Sequence, residues 1–588
     1  MKSAARIGMS RILFYGLVLA MVPLVWGCGG GGEEEEERPR VEVESERRLV
    51  TTEWLATHLD EPGLVVVDAR RTDQYLRAKI PGAVSASFSE EEYLSRGRNV
   101  SYGGGLDIFG DFEGEFPFAY AGQEHIQAAI RGLGIDDDTA VVVYDDGGTF
   151  FAAMVIFILE YYGHRHSYML DGGFHKWEAE ERPVGTGVVE RPAGSFTAEV
   201  RDEGMMVDTD YVLESLYHPE RTLVSSLLPS WHFGTHLAYS RAGHIPSTKS
   251  IPLGFFVNAD RTWRSTSEIE ALFEFSGVSL ENEIITYCGG GPLSTCGYFV
   301  VRHLLGHEAV RNYQNAVVAW LQDPRDLPLN LYQHPEMLRD SDWINWWSGD
   351  RIQTLMQDAP ALVLDVRPEE IREGGHIPWS VHLDLGDWEE AGDRTLEEWA
   401  EHLGAIGLGA PIEAVICDDE GLTPEAAWTF WLLEYMGHEF VSLCAEGVSG
   451  WEMAGYSLTT EETRIAEPVT TLDVAIHPKE MAVRRNATRR LEDREGERVD
   501  RRFGRRWVFV GESLPGGYHA EDVVLLDPGA LVDETGRLLS GDQLWTALES
   551  AGVPWMTELV VDGETPGLAA KGYVALRVLG FPQARLHF

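Results

Sequence analysis

The chain has 588 residues, 44% hydrophobic and 10% aromatic, so most of it can fold. That length exceeds what one hydrophobic core sustains and points to roughly three to five domains. A formal net charge of −47, from 48 basic against 95 acidic residues, excludes nucleic acid and anionic membrane surfaces as electrostatic partners, while a small anion stays possible at a neutral or basic site.

At the N-terminus, Lys2, Arg6 and Arg11 precede an apolar run from Ile12 to Val25, and Val25-Trp26-Gly27-Cys28 follows. About 15 apolar residues are too few for a membrane span and typical of an export signal. The ending resembles a bacterial lipobox, which implies that residues 1–28 are a signal and that Cys28 becomes the lipidated first residue. Residues 29–47, with Gly29 to Gly32 and Glu33 to Glu37, read as a flexible acidic linker. The expectation is a cell-envelope protein on the periplasmic side, held to the membrane by a lipid anchor. Gly29 resembles an outer-membrane sorting signal in a Gram-negative host.

From there the chain repeats itself. Short apolar runs without alternation, Leu64 to Val67, Thr222 to Val224, Ala361 to Leu364 and Trp507 to Val510, read as strands buried on both faces of a parallel sheet. A proline-bearing turn follows each: Ile80-Pro81, Gly243-His244-Ile245-Pro246, Gly375-His376-Ile377-Pro378 and Leu514-Pro515. A second strand comes later, Ala140 to Tyr144, Ile284 to Tyr287, Ala414 to Cys417 and Glu558 to Val561, and then a helix that closes on Gly163, Gly306, Gly437 or Gly580. Those glycines lie 143, 131 and 143 residues apart, so a tandem pair was itself duplicated. Beyond the helix, Trp177, Trp320 and Trp451 recur at one spacing in the first three copies. The pattern predicts an α/β fold of four tandem modules, each a mainly parallel five-stranded sheet flanked by helices. Their expected bounds are 48–190, 198–330, 340–460 and 468–588, with Arg484 to Arg506 a charge-dense irregular insertion.

Together these marks resemble the rhodanese family of sulfurtransferases. The family's early Asp-x-Arg stands as Asp68-Ala69-Arg70 and Asp365-Val366-Arg367, joined by the Gly-His-Ile-Pro turn, the strand–cysteine-loop–helix and the Asp171-Gly172-Gly173…Trp177 segment. The resemblance covers about residues 48 to 588. It implies transfer of sulfane sulfur through a cysteine persulfide, from thiosulfate or 3-mercaptopyruvate to a thiophilic acceptor such as cyanide or a thiol.

The slot after the second strand holds Cys288 in one module and Asp145, Asp418 and Asp562 in the others, so one module is expected to react and three not. The loop Cys288-Gly289-Gly290-Gly291-Pro292-Leu293-Ser294 can turn successive amides inward as an anion nest, with Pro292 shaping the loop but lacking an N–H. A helix beginning near Ser294 adds its positive end, and both favour the nucleophilic thiolate. The loop lacks both the basic pair suited to thiosulfate and the serine suited to 3-mercaptopyruvate, so the donor stays open. Arg241 is the nearby candidate cation for the donor's acid group, while His244 reads as structural. Ser225-Ser226-Leu227 replaces Asp-x-Arg in this module. Cys296 is a possible resolving thiol or a core residue; Cys417 and Cys444 read as core. Five cysteines make no disulfide framework and no zinc spacing, so neither metal nor cofactor is expected. A phosphatase of related fold would need arginine six residues after the cysteine, where Ser294 stands. The alternative to an enzyme is a sulfur carrier or binding protein of the envelope that does not turn over.

Overall fold

The computed structural model describes residues 41–86, 123–148, 151–236, 240–291, 293–347, 361–386, 388, 394–409, 412–463, 482–483, 504–515, 523–581 and 583–587. Cys28, the linker to residue 40, Pro292 and most of the 484–506 stretch lie outside them. Arg505 and Arg506, assigned above to an irregular insertion, instead open the strand Arg505–Val510, where Arg505 meets Glu558 at 2.9 Å.

Among the described residues there are four parallel sheets. In the first, Leu49–Val50, Ser167–Leu170, Ala140–Tyr144, Leu64–Asp68 and Val84–Ser85 lie side by side in that order. The third and fourth sheets repeat the order. Central strands such as Ala140–Tyr144 and Ala361–Asp365 are apolar along their length because helices cover both faces. The second sheet departs from the expected five strands. It has four, Lys249–Ser250, Arg221–Ser225, Glu283–Tyr287 and Val310–Asn312, and its fifth position is a single bridge from Met206 to Asn312. A 3₁₀ turn at Glu203–Met205, capped by the Asp202 carboxylate on the Gly204 N–H, interrupts the segment that would have extended that strand.

Each helix that follows a reactive-slot strand packs on its counterpart in the neighbouring module. Phe151–Tyr161 lies against Ser294–Phe299, where Phe157 and Tyr298 meet edge to face at 4.9 Å. Pro424–Tyr435 lies against Pro566–Leu579. The ties at these seams correspond across the duplication: Glu160 with His303 at 2.9 Å, and Glu434 with Arg577 at 2.9 Å, each member shifted by 274 residues. Gly163, Gly306, Gly437 and Gly580, just past the four helices, all take left-handed backbone. One apolar core runs through all four modules along these helices, while the opposite face of each sheet has a smaller cluster of its own.

Candidate active site

The strand Glu283–Tyr287 delivers Cys288 at its C-terminal end, and the helix Ser294–Phe299 begins on the far side of the loop. The Gly291 N–H donates to Cys288 Sγ at 3.1 Å. The amides of Gly290 and Ser294 and the Ser294 hydroxyl also act on the sulfur, and that hydroxyl braces the loop by donating to the Gly291 carbonyl at 2.5 Å. Gly291 has φ +101°, and a Cβ there would stand 2.1 Å from the Gln314 carbonyl oxygen. Both backbone angle and space therefore demand glycine.

The loop is also held from behind, which the sequence did not reveal. Val317 and Val318, in the first turn of the helix Ala316–Gln322, donate their N–H groups to the carbonyls of Cys288 and Gly289 at 3.2 and 3.1 Å. The recurring Trp320 marked this segment without showing its task. Ala316 enters the helix at φ +50°, where the first and third modules have Gly173 and Gly447 at φ +57° and +64°. The module with the thiol thus carries a side chain at a left-handed position that its siblings leave to glycine.

Burial decides the resting state of the sulfur. Cys288 is almost wholly enclosed, and desolvation pushes its thiol up despite the opposing amides and hydroxyl. The loop donors do favour the thiolate, as the sequence implied, but they only partly offset the loss of water. Arg241, the candidate cation, already has partners of its own. Its guanidinium pairs with Asp326 at 3.1 Å and donates to the Leu327 carbonyl at 2.8 Å, so its charge is already engaged on the segment after the last helix of the module. His244 is buried, stacked on His232 at 3.7 Å and bonded through Nδ1 to the His232 carbonyl. Burial pulls its pKa down to about 4. Cys296 is fully enclosed on the helix, and burial, with the Asp145 carboxylate of the first module adding to it, pushes its thiol well up. Where Asp68 and Asp365 clamp Arg70 and Arg367 at 2.7 and 2.8 Å, Ser225 has no such ion pair but keeps the turn, accepting the Leu227 N–H at 3.3 Å as Asp68 accepts that of Arg70.

In the other slots a carboxylate takes the donors that the loop presents. Asp145 accepts the N–H groups of Gly147 and Ala152 at 2.8 and 3.1 Å. Asp418 accepts from the Asp419 N–H at 2.7 Å and the Thr423 hydroxyl at 2.5 Å. Asp562 accepts from the Gly563 N–H at 2.8 Å and lies 3.0 Å from His587 Nδ1. Two of these loops are further capped by the adjacent module. Arg261, in the turn between Val257 and Trp263, reaches the carbonyls of Asp146 and Gly147 at 3.5 Å, and the Trp263 N–H donates to Asp171. In the second pair, the turn between Val532 and Leu538 places the Gly536 carbonyl on the Leu422 N–H at 2.9 Å and Arg537 on Glu446 at 3.1 Å.

Comparison with known proteins adds an independent line. The model of the rhodanese-like domain matches residues 51–180 and 348–454. The sulfur carrier protein TtuD of Thermus thermophilus is 30% identical over 284 residues, covering 46% of this chain and 93% of that protein. A Mycolicibacterium smegmatis protein provisionally named thiosulfate sulfurtransferase is 30% identical over 277 residues, covering 46% and 92%. Among solved structures, the 3-mercaptopyruvate sulfotransferase SseA from Escherichia coli aligns with a TM-score of 0.39 at 27% identity, covering 46% of this chain and 98% of that one.

Proposed function

The chain belongs to the rhodanese-like family, and on that premise we propose that it is a sulfurtransferase with Cys288 as its nucleophile. The observation that carries the reading is that one of four equivalent strand-to-helix turns holds a thiol, with backbone N–H groups converging on its sulfur. In the proposed cycle the Cys288 thiolate attacks the outer sulfur of a donor such as thiosulfate. The donor's S–S bond breaks, its electron pair leaves on sulfite, and the enzyme keeps a persulfide anion. The inward amides stabilise that anion as they stabilise the thiolate. Cyanide or a thiolate then attacks the outer persulfide sulfur, and the bond pair returns to Cys288.

Thiosulfate and 3-mercaptopyruvate, each with cyanide, are the assay pair. Thiocyanate release by the wild type and its loss in Cys288→Ser supports the proposal; retained turnover in that variant overturns it. A carrier role has its own support in the near-complete burial of Cys288 and in the relative named a sulfur carrier. A persulfide mass on Cys288 without multiple turnover favours that reading. We propose in addition that the protein is lipidated at Cys28 and held at the cell envelope, on the strength of the apolar run and the Val25-Trp26-Gly27-Cys28 ending. Incorporation of a labelled fatty acid that persists in Cys28→Ser would refute it.

A further inference from the structure

A cavity of about 300 Å³ lies at the boundary between the second and fourth modules, away from the Cys288 loop. Its wall on one side is the edge strand Lys249–Ser250 and the end of the helix Thr266–Phe275; on the other it is Trp555 and Arg577. At about 30 Å³ per water, that space takes one small ligand with part of its hydration.

The polar groups in this wall are unbalanced. Among the described residues Lys249 has no ion-pair partner, and its nearest charged influences are Glu336, which favours its charge, and Arg577, which opposes it. Burial lowers its pKa for the same reason: the ammonium has lost water without gaining an anion. The Ser250 hydroxyl and the Trp555 indole N–H are buried without an acceptor. Arg577 spends Nε and one terminal nitrogen on Glu434, at 3.4 and 2.9 Å. Opposing these are the Glu274 carboxylate in the wall and Glu336, which is 2.8 Å from His334 Nδ1. Two cations crowded together and two donors lacking acceptors, in a protein of net charge −47, carry a desolvation cost that an anion would relieve.

We propose that this cavity is a binding site for a small oxoanion, held by Lys249, Arg577, Ser250 and Trp555 across the seam between the two tandem pairs. The site does not depend on the reading of Cys288, and the ligand class is fixed by the donors: a compact, multiply charged anion with several acceptor oxygens. Because its walls come from both pairs, occupancy strengthens their association.

Sulfate is the probe, since it has no sulfur to transfer. Thermal unfolding of the full chain carrying Cys288→Ser is followed against sodium sulfate, with sodium chloride at matched ionic strength as the reference. The expected result is a saturable rise in Tm above the reference. In Lys249→Gln that saturable part is lost and sulfate binding measured calorimetrically weakens at least tenfold, while Trp555→Phe weakens it less. The non-specific effect of sulfate on apolar burial does not saturate and is common to all variants. No saturable response in the parent, or an equal one in Lys249→Gln, overturns the proposal. Lys249→Gln removes an unpaired, half-buried cation, so the variant is expected to fold, and the comparison is made within each variant.

Discussion

Replacing Gly291 with alanine separates the contribution of the loop amides from that of burial. The residue sits at φ +101°, which costs an L-residue about 1–2 kcal/mol. The added methyl would also fall 2.1 Å from the Gln314 carbonyl oxygen, a backbone atom that Val317 and Val318 help fix through the same turn. The loop must therefore shift, and its N–H can no longer hold 3.1 Å to Cys288 Sγ. A hydrogen bond to a charged group contributes about 1.5–3 kcal/mol, and each 1.4 kcal/mol is roughly a factor of ten. The thiolate fraction of Cys288 at fixed pH is thus predicted to fall about ten- to a hundredfold. Ultraviolet thiolate absorbance across an alkaline titration, taken as the difference from Cys288→Ser, measures it directly. Single-turnover persulfide formation with thiosulfate should fall in parallel. A variant that still unfolds cooperatively, with an unchanged thiolate titration, would show that the amides do not set the state of the sulfur.

Ala316→Gly is expected to raise stability by up to about 1.5 kcal/mol in urea unfolding, because relief of about 1–2 kcal/mol of left-handed strain offsets the roughly 0.5–1 kcal/mol that glycine loses in backbone entropy; a loss of stability would contradict this. Glu434→Gln leaves Arg577 without its carboxylate at the seam of the second pair and should destabilise by about 1–3 kcal/mol, discounted toward the lower end for partial exposure. His164 and His244 are buried with pKa values pulled from 6.5 to about 4. The unfolded chain takes up those protons first, so stability is whole above pH 6.5 and declines toward pH 4 by about 1.4 kcal/mol per unit for each histidine; an unchanged slope in His244→Asn would argue against it. Burial holds the thiols of Cys288 and Cys296 above their ordinary range, and at Cys417 the interaction with the Cys444 thiol does so with burial adding to it. Their contribution is full below that range and lost as the pH rises through it, which melts in mildly and strongly alkaline buffer will detect.

The fold was legible because its signals are local. Unalternating apolar strands report burial on both faces, and a glycine past each slot helix reports a left-handed cap. The position of Cys288 at a strand end before a glycine loop was equally readable. What escaped were features that depend on distant partners. Nothing in the loop sequence shows that Val317 and Val318 tether it, or that Arg241 is claimed by Asp326. The opposing effect of burial on the thiol escaped for a related reason: inward amides can be inferred from glycines, whereas the degree of enclosure is set by neighbouring segments. Loss of the fifth strand in the second sheet turned on one Asp202 cap, too small a signal to separate from an ordinary turn.

The continuous apolar core that threads all four modules bears on how such a chain can change over generations. A module whose slot holds aspartate rather than a thiol still contributes its share of that core. Deleting it would uncover the apolar helices of its neighbours and invite aggregation. A substitution confined to a slot leaves the shared core in place, whereas excision of a whole module would not. The chemistry of a slot is a local property of one loop, but the core belongs to the whole array of modules.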